Sequence, residues 1–272
     1  MSILICPVCG EKLAKTERIL MCGKRHSFDM AKSGYVNLLL SKHIGKTVHG
    51  DNKLMVRARR EFLEKGYYAP LKNELCDMVE KHFDGGVILD AGCGEGYYTA
   101  AISDRLNSAD VAAEMFGIDI SKIAVEFASK RGKDIFFAAA SVFHIPVLDS
   151  SCDLLVTMFA PYCGDEYLRV LKKGGVMVMA IPSEEHLWQL KQAIYDTPYK
   201  NQVKPYDLDG FALIDKARIT YDMEVGSQQD VQSLFSMTPY FYRTSPQQKE
   251  RLADISSICT KADFELLIYR KI

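Results

Sequence analysis

The sequence predicts an α/β fold, in which an open and mostly parallel sheet follows a small N-terminal metal-binding module. From residue 85 onward, short apolar runs alternate with longer amphipathic runs, the pattern of strand–helix–strand units. The first 26 residues instead hold three cysteines and a histidine at metal-ligand spacing. With 272 residues, the chain has room for one large core and a small appendage.

The N-terminal module is predicted to bind zinc. Cys6 and Cys9 form a C-x2-C pair. After twelve intervening residues, Cys22 and His26 form a C-x3-H pair. Two such pairs suit tetrahedral Zn²⁺, and four protein ligands leave no open position for catalysis. The alternative is that these are four unconnected reduced side chains. We expect a structural zinc ribbon over residues 1–34.

The composition, 48% hydrophobic and 25% charged, is that of a soluble globular protein. No apolar run reaches the length of a membrane span, and the first residues form no signal peptide. The cysteines outside the predicted zinc site show no pairing pattern, which fits a reducing compartment. We therefore expect a cytoplasmic protein with no membrane partner.

The charge is distributed unevenly along the chain. Residues 1–60 hold twelve Lys and Arg against four Asp and Glu, a net charge of +8, although the whole chain carries −1. A basic N-terminal part on an acidic body points to a polyanionic partner such as nucleic acid, and chance clustering on a solvated surface is the alternative. We expect Arg57, Arg59 and Arg60 to contact the backbone of that polyanion together.

A linker, helices and strands are predicted after the ribbon, in this order along the chain. Residues 35–52 read as a flexible basic linker, and residues 53–84 complete a segment, 35–84, that also holds two helices. The first helix begins at Asp51 as N-cap and runs to residue 65, and the second covers 71–83. The third segment, 85–272, holds the sheet. Its predicted strands are 87–90, 115–120, 135–140, 153–159, 176–181, 217–225 and 264–269, the last at the sheet edge. Helices are predicted at 96–106 and 121–130, and a polar insertion at 197–210.

A glycine-rich loop follows the first of these strands. It reads Asp90-Ala-Gly92-Cys-Gly94-Glu-Gly96, so its spacing is G-x-G-x-G, and Tyr97 stands where a dinucleotide fingerprint has its third glycine. A dinucleotide is therefore disfavoured. Asp90 would repel a pyrophosphate, but it suits the sulfonium and ammonium groups of S-adenosylmethionine (SAM).

The second strand ends in Asp119, 23 residues after Gly96. A carboxylate at this place can accept hydrogen bonds from both ribose hydroxyls. Acids on two successive strand ends, with the loop between them, predict a SAM site, and glycines that serve only a tight turn are the alternative. Phe159 and Tyr162 follow the fourth strand, where they could stack on a target base or belong to the core.

Together, these motifs resemble the RlmA-type 23S rRNA (guanine-N1)-methyltransferase family over nearly the whole chain. The resemblance rests on CPVC…CGKRHSFDMAKSGYVNLL, ARREFLEKGYYAPL, LDAGCGEGYYT, GIDISK, HLWQLK and SMTPY. It implies a Rossmann-like SAM-dependent methyltransferase domain at 85–272 with a small zinc ribbon. It also implies methylation of N1 of a guanine in a hairpin loop of 23S rRNA, free or in a large-subunit precursor. Two subgroups modify neighbouring guanines, and no residue here chooses between them.

The resemblance also implies site residues and an assembly. Tyr68, Gly94, Glu95 and His186 would line the cofactor pocket, beside the ligands already assigned to zinc. The family is dimeric, so a homodimer is one expectation. No catalytic base is assigned, because the nearby acids Glu184, Glu185 and Asp149 have no distinguishing spacing. Two other functions stay open: a small-molecule methyltransferase with a structural zinc ribbon, and a non-enzymatic zinc-ribbon RNA-binding protein.

Overall fold

The computed structural model describes residues 3–40, 52–132, 134–203, 206–238 and 240–272, apart from the side chains of Tyr242 and Arg243. The strands are β1 Leu13–Thr16, β2 Ile19–Cys22, β3 Ser27–Asp29, β4 Val36–Asn37, β5 Gly86–Ala91, β6 Ala113–Asp119, β7 Ile135–Ala139, β8 Cys152–Met158, β9 Leu171–Pro182, β10 Phe211–Val225 and β11 Ile258–Lys271. The helices are α1 Lys53–Glu64, α2 Ala69–His82, α3 Tyr97–Ser108, α4 Lys122–Ala128, α5 Gly164–Val170, α6 Trp188–Ile194, α7 Gln228–Ser236, α8 Tyr240–Arg243 and α9 Pro246–Ala253. Within these ranges, no helix is both long and apolar enough to cross a bilayer.

The larger sheet has eight strands in the order β10-β11-β9-β8-β5-β6-β7-β4. Strands β4 to β9 pair in parallel, and β11 runs antiparallel to both β9 and β10. The predicted α/β architecture is thus confirmed. Because the parallel strands share one direction, the loops after β5, β6, β8 and β9 meet at a single edge of the sheet.

The prediction that the strand at 264–269 lies at the sheet edge is wrong. This segment is part of β11, which lies between β9 and β10, and β10 forms the edge. Phe264, Leu266 and Leu267 on β11 are all buried, whereas β10 alternates between exposed and partly buried positions. A strand that is apolar on both faces needs neighbours on both sides, so it is the alternating strand that can stand outside.

Residues 36–38 of the linker predicted at 35–52 are part of the fold. Val36 and Leu38 are buried, and Val36–Asn37 forms β4, which pairs with β7. Residues 41–51 lie outside the described residues, and with them the predicted N-cap Asp51. The observed N-cap of α1 is Asn52, whose side chain accepts hydrogen bonds from the amides of Leu54 and Met55 at 3.0 Å. The domain boundaries at 34/35 and 84/85 stay predictions.

The sheet is covered differently on its two faces. Helices α1, α2, α3, α4, α6 and α7 pack on one face in one buried cluster. On the other face, the three-stranded ribbon sheet β1-β2-β3 and α5 share a second buried cluster with β5, β6 and β7. The ribbon is attached by an antiparallel bridge between Leu4 and Val147. It therefore occupies a place on the sheet where a Rossmann-like domain usually packs helices.

Candidate functional site

A cavity of about 1590 Å³ opens at the carboxyl ends of β5, β6, β8 and β9. Its wall includes seven of the eight predicted cofactor residues: Tyr68, Asp90, Gly92, Gly94, Glu95, Asp119 and His186. Gly96 is the exception. It lies at the N-terminus of α3 with φ +82°, and a Cβ there would stand 3.0 Å from the Cα of Ala128. Gly96 therefore allows the loop to pack against α4 and does not face the cavity.

Asp90 is the most deeply buried acid in the wall, with 1% of its surface exposed. The Thr99 hydroxyl donates to Oδ2 at 2.5 Å, while Oδ1 has no hydrogen-bond partner within the described parts of the chain. Burial raises the pKa of this carboxyl to about 7, against the Thr99 hydrogen bond, which lowers it. A buried carboxylate oxygen without a partner fits a cationic ligand, as the sulfonium and ammonium of SAM require.

The carboxylate of Asp119 is held in place by two backbone amides. The Gly94 amide donates to Oδ2 at 3.0 Å, and the Ser121 amide donates to Oδ1 at 2.8 Å. These two bonds fix the carboxylate and tie the end of β6 to the glycine loop. Each carboxylate oxygen has a second lone pair. A carboxylate fixed in this way at a strand end is the type of group that accepts hydrogen bonds from the vicinal hydroxyls of a ribose.

Glu95 stabilises the glycine-rich loop through an ion pair with Arg131. Its buried carboxylate binds Arg131 through Nε at 2.7 Å and also through Nη2. Arg131 Nε is also 2.9 Å from the Glu95 carbonyl oxygen. This pair fixes the backbone between Gly94 and Gly96, so the contribution of Glu95 to the cavity depends on Arg131, which the sequence analysis did not single out.

His186 is a neutral side chain in the wall of the cavity. Its Nδ1 accepts from the Asp263 amide at 3.3 Å, which leaves the hydrogen on Nε2. Burial lowers the pKa of this imidazole to about 3, so the ring is uncharged near neutral pH. Nε2 lies 3.5 Å from the Tyr68 hydroxyl oxygen. In this tautomer, Nε2 carries a hydrogen and cannot accept a proton.

The four predicted zinc ligands come together on the ribbon. Their ligand atoms all lie within 4.8 Å of one another. The sulfurs of Cys9 and Cys22 are 3.7 Å apart, and His26 Nδ1 is 3.4 Å from Cys22 Sγ and 3.5 Å from Cys6 Sγ. Ligands at about 2.3 Å from a tetrahedral zinc stand roughly 3.8 Å apart. The donor set and its spacing therefore fit a closed structural Zn²⁺ site, with His26 binding through Nδ1.

Comparisons with known proteins identify the family. Residues 4–43 match a family profile described as the RlmA N-terminal zinc ribbon, and residues 82–237 match one described as a methyltransferase domain. A Bacillus subtilis (strain 168) protein, provisionally named a 23S rRNA (guanine-N1)-methyltransferase, is 30% identical over 280 residues, covering 99% of this chain and 98% of its own. The chain belongs to the 23S rRNA (guanine-N1)-methyltransferase family.

Two further relatives agree with this family. A 23S rRNA (guanine(748)-N1)-methyltransferase of Streptomyces fradiae is 32% identical, with 70% of this chain and 67% of its own covered. A Micromonospora griseorubida protein, provisionally named for the same chemistry without a position, is 34% identical over 69% of this chain and 68% of its own. The protein is a SAM-dependent methyltransferase of Rossmann-like fold with a zinc ribbon.

The structure separates the three arginines that we expected to contact RNA together. Only Arg57 is exposed. Arg60 pairs with Glu64 at 2.9 Å and lies over the Phe127 ring. Arg59 lines the cavity of the methyltransferase and so stands apart from Arg57, and a joint contact of the three arginines with an RNA backbone stays a prediction. The physical reason is that α1 packs against α7 and turns one face toward the cavity.

None of the three acids near the predicted site lies in the cavity wall. Glu185 binds Lys261 at 2.6 Å and Lys200 at 2.9 Å, and these two hydrogen bonds lower its pKa to about 2. Asp149 pairs with Arg169 at 2.7 Å. Asp207 is a wall acid that the sequence analysis did not single out; it lies in the polar insertion.

The pKa of Asp90 predicts a pH dependence of cofactor binding. Because the folded pKa is raised from 3.8 to about 7, Asp90 is mostly protonated below pH 7 in the ligand-free protein, and the stability it contributes is lost as pH rises from 4 to 7. A cationic ligand binds the ionised form, so SAM affinity should rise as pH increases toward 7, by up to about tenfold per unit, and then level off. Calorimetric titrations from pH 5.5 to 8.5 measure this.

The control for this prediction is Asp90→Asn. It retains the shape of the side chain and removes its titration, and any titration of the ligand itself is the same in both proteins. We expect weak binding in this variant without the rise toward pH 7. An equal pH dependence in both proteins would assign the titration to another group.

Proposed function

We propose that this methyltransferase transfers the methyl group of SAM to N1 of a guanine in a hairpin loop of 23S rRNA. It would meet this substrate in the cytoplasm, as free rRNA or as a large-subunit precursor, and as a monomer or the homodimer expected from the family. The observation that carries the proposal is the shape of the cavity. It runs from the acids that suit SAM to a wall of aromatic side chains after β8.

Phe159 stands where a base would meet the methyl group. It follows β8 with φ +59°, a left-handed conformation that costs energy for a residue with a Cβ, and its side chain is partly exposed. Its ring lies 5.6 Å from Phe264, whose centroid is 4.4 Å from that of His186. An exposed ring held in a strained conformation at the carboxyl end of this strand suits stacking of an extruded base.

The chemistry fits the residues of this wall. Guanine N1 carries a proton at neutral pH, so the base has to be aligned and the proton has to leave. Bound SAM supplies an activated methyl group. The protein's part is alignment and exclusion of water, by stacking on Phe159 and by the buried wall beside it, in which His186 Nε2 lies 3.5 Å from the Tyr68 hydroxyl. His186 itself does not take the N1 proton at this nitrogen.

The ribbon would hold the RNA outside the cavity. Its surface exposes Lys12, Lys15, Lys24, Arg25 and Lys32. Of these, Lys24 is paired with Glu11 at 3.4 Å. A surface with this excess of cations binds phosphates without reading sequence. Recognition of the single guanine is then left to the cavity.

The experiment that tests the function uses unmodified 23S rRNA and labelled SAM. Methylation at N1 blocks the pairing edge of guanine, so a reverse-transcription stop and nucleoside mass spectrometry locate it. We expect one stop in one hairpin loop and N1-methylguanosine as the product. Incorporation at another atom or another nucleotide would refute the guanine-N1 assignment. Incorporation only into small molecules would refute the rRNA substrate.

Removal of the Phe159 ring should separate RNA methylation from cofactor binding. Stacking of a base on an aromatic side chain contributes about 1–3 kcal/mol. We therefore expect Phe159→Ala to lower kcat/KM for rRNA by about 5- to 100-fold. The dissociation constant of SAM should stay within about twofold, and Phe159→Tyr should retain most of the activity. An equal loss in SAM binding would show that Phe159 is part of the core.

A further inference from the structure

We propose that Arg59 binds the carboxylate of the methionine moiety of SAM. This inference rests on the assignment of SAM as the cofactor and adds a residue to its site. On sequence alone, this arginine is associated with RNA phosphates, and the proposal assigns it to the cofactor instead.

The placement of Arg59 follows from the periodicity of α1. Met55, Arg59 and Leu63 are four residues apart, so they lie on one face of the helix, and all three line the cavity. Met55 and Leu63 are buried, and the same helix packs against α7. Arg59 therefore projects from an apolar helix face into a site, although arginines on such helices usually point to solvent.

The guanidinium lies beside the glycine loop. Its Nη1 is 3.9 Å from the position that a Cβ on Gly94 would occupy. On its other side, Nη2 donates to the carbonyl oxygen of Met237 at 3.3 Å. Met237 is the C-cap of α7, where the helix dipole is negative. The contact with Met237 thus orients the fork of Arg59, and Nη1 is directed at the loop that would hold the amino-acid end of the cofactor.

The positions of the positive charges in the cavity wall favour Arg59 as the partner of the carboxylate. SAM carries two cationic groups and one carboxylate, and Asp90 suits the cations. The described wall contains two Arg or Lys side chains, Arg59 and Lys200. Lys200 binds Glu185 at 2.9 Å in the segment after β9. Arg59 alone of the two stands at the glycine loop, and its planar fork matches a carboxylate in a bidentate way.

The experiment compares two ligands that differ only at the amino-acid end. S-adenosylhomocysteine has the carboxylate, and 5′-methylthioadenosine lacks the whole amino-acid part. For Arg59→Gln, calorimetry should show about 10- to 100-fold weaker binding of S-adenosylhomocysteine, as expected for a lost charge-assisted pair. Binding of 5′-methylthioadenosine should stay within about twofold. Arg57→Gln, an exposed arginine on the same helix, is the matched control and should change neither affinity.

Each other outcome would contradict either the role of Arg59 or the assignment of SAM. An equal loss for both ligands would make Arg59 a structural support of the cavity. No loss for either ligand, together with weaker rRNA binding, would assign Arg59 to the RNA backbone. If the wild-type protein bound neither ligand, the SAM assignment itself would fail. Arg59→Lys, with retained charge but no fork, covers the case in which the Gln variant does not fold, and should bind S-adenosylhomocysteine with intermediate affinity.

Discussion

Removal of zinc is expected to weaken cofactor binding as well as to unfold the ribbon. Structural zinc contributes about 10–16 kcal/mol of apparent binding free energy in small zinc modules, so the ribbon should not persist without it. Residues 3–5 of the ribbon are bonded to the methyltransferase domain: the Ile5 amide donates to Pro146 O at 2.9 Å, and the Leu148 amide donates to Ile3 O at 2.9 Å. The stretch of the methyltransferase domain that makes these bonds, 141–148, begins with Ser141, which lines the cavity.

We expect zinc removal to lower the affinity for S-adenosylhomocysteine on the order of tenfold, together with a clear fall in Tm. The measurement combines chelation, zinc quantification, thermal unfolding and calorimetry, and added zinc should restore both properties. Cys22→Ser should reproduce the effect, whereas Cys259→Ser, at an exposed cysteine outside the cluster, should not. Unchanged affinity in the zinc-free protein would show that the ribbon and the cavity are independent. The zinc ligands' own role would then be confined to the ribbon.

Much of the fold could be predicted because its signals are local. A parallel strand that is buried on both faces reads as one apolar run, and the predicted strands 87–90 and 153–159 correspond on this ground to the observed β5 and β8. The zinc ligands are two short pairs, and each pair lies within one turn. The positions of the glycine loop and Asp119 were predictable for a similar reason, since the loop follows directly on a strand and Asp119 ends one.

What the sequence could not provide depends on packing between distant segments. The edge position was assigned to 264–269 because strand order is set by partners far away in the chain, and the alternation of β10 does not by itself tell which strand pairs beside it. Arg59 was expected to contact a polyanion together with Arg57 and Arg60, since the basic excess of residues 1–60 indicates such a partner. Only the packing of α1 against α7 turns it inward. The two-residue strand β4 is too short for any periodicity to show.

His186 is an intermediate case. Its residue type is compatible with a helix surface, a metal site or a catalytic base. The resemblance to the family places it in the cofactor pocket, and the structure brings it to the cavity wall. Its protonation state follows from Asp263, whose amide binds Nδ1 across a separation of 77 residues. No local pattern could have supplied that contact.

Gly92→Ala is expected to destabilise the protein and to disrupt the cofactor site. Gly92 has φ +92°, and a Cβ there would stand 2.4 Å from the Cβ of Ala160. Since neither backbone can yield freely, the turn of Phe159 and Ala160 would have to move away from the glycine loop. The left-handed backbone costs roughly 1–2 kcal/mol for a residue with a Cβ, and the overpacking adds about 1–3 kcal/mol.

Gly174→Ala separates these two contributions. Gly174 has φ +77° but nothing within 4 Å of an added Cβ, so it carries the backbone cost without the clash. We expect urea unfolding to show the larger loss for Gly92→Ala, and calorimetry to show at least about tenfold weaker S-adenosylhomocysteine binding in that variant alone. Equal losses of stability with normal binding would mean that the contact between the glycine loop and the Phe159 turn is not needed. The cofactor wall and the aromatic wall would then be two independent parts of the cavity, which the close approach at Ala160 argues against.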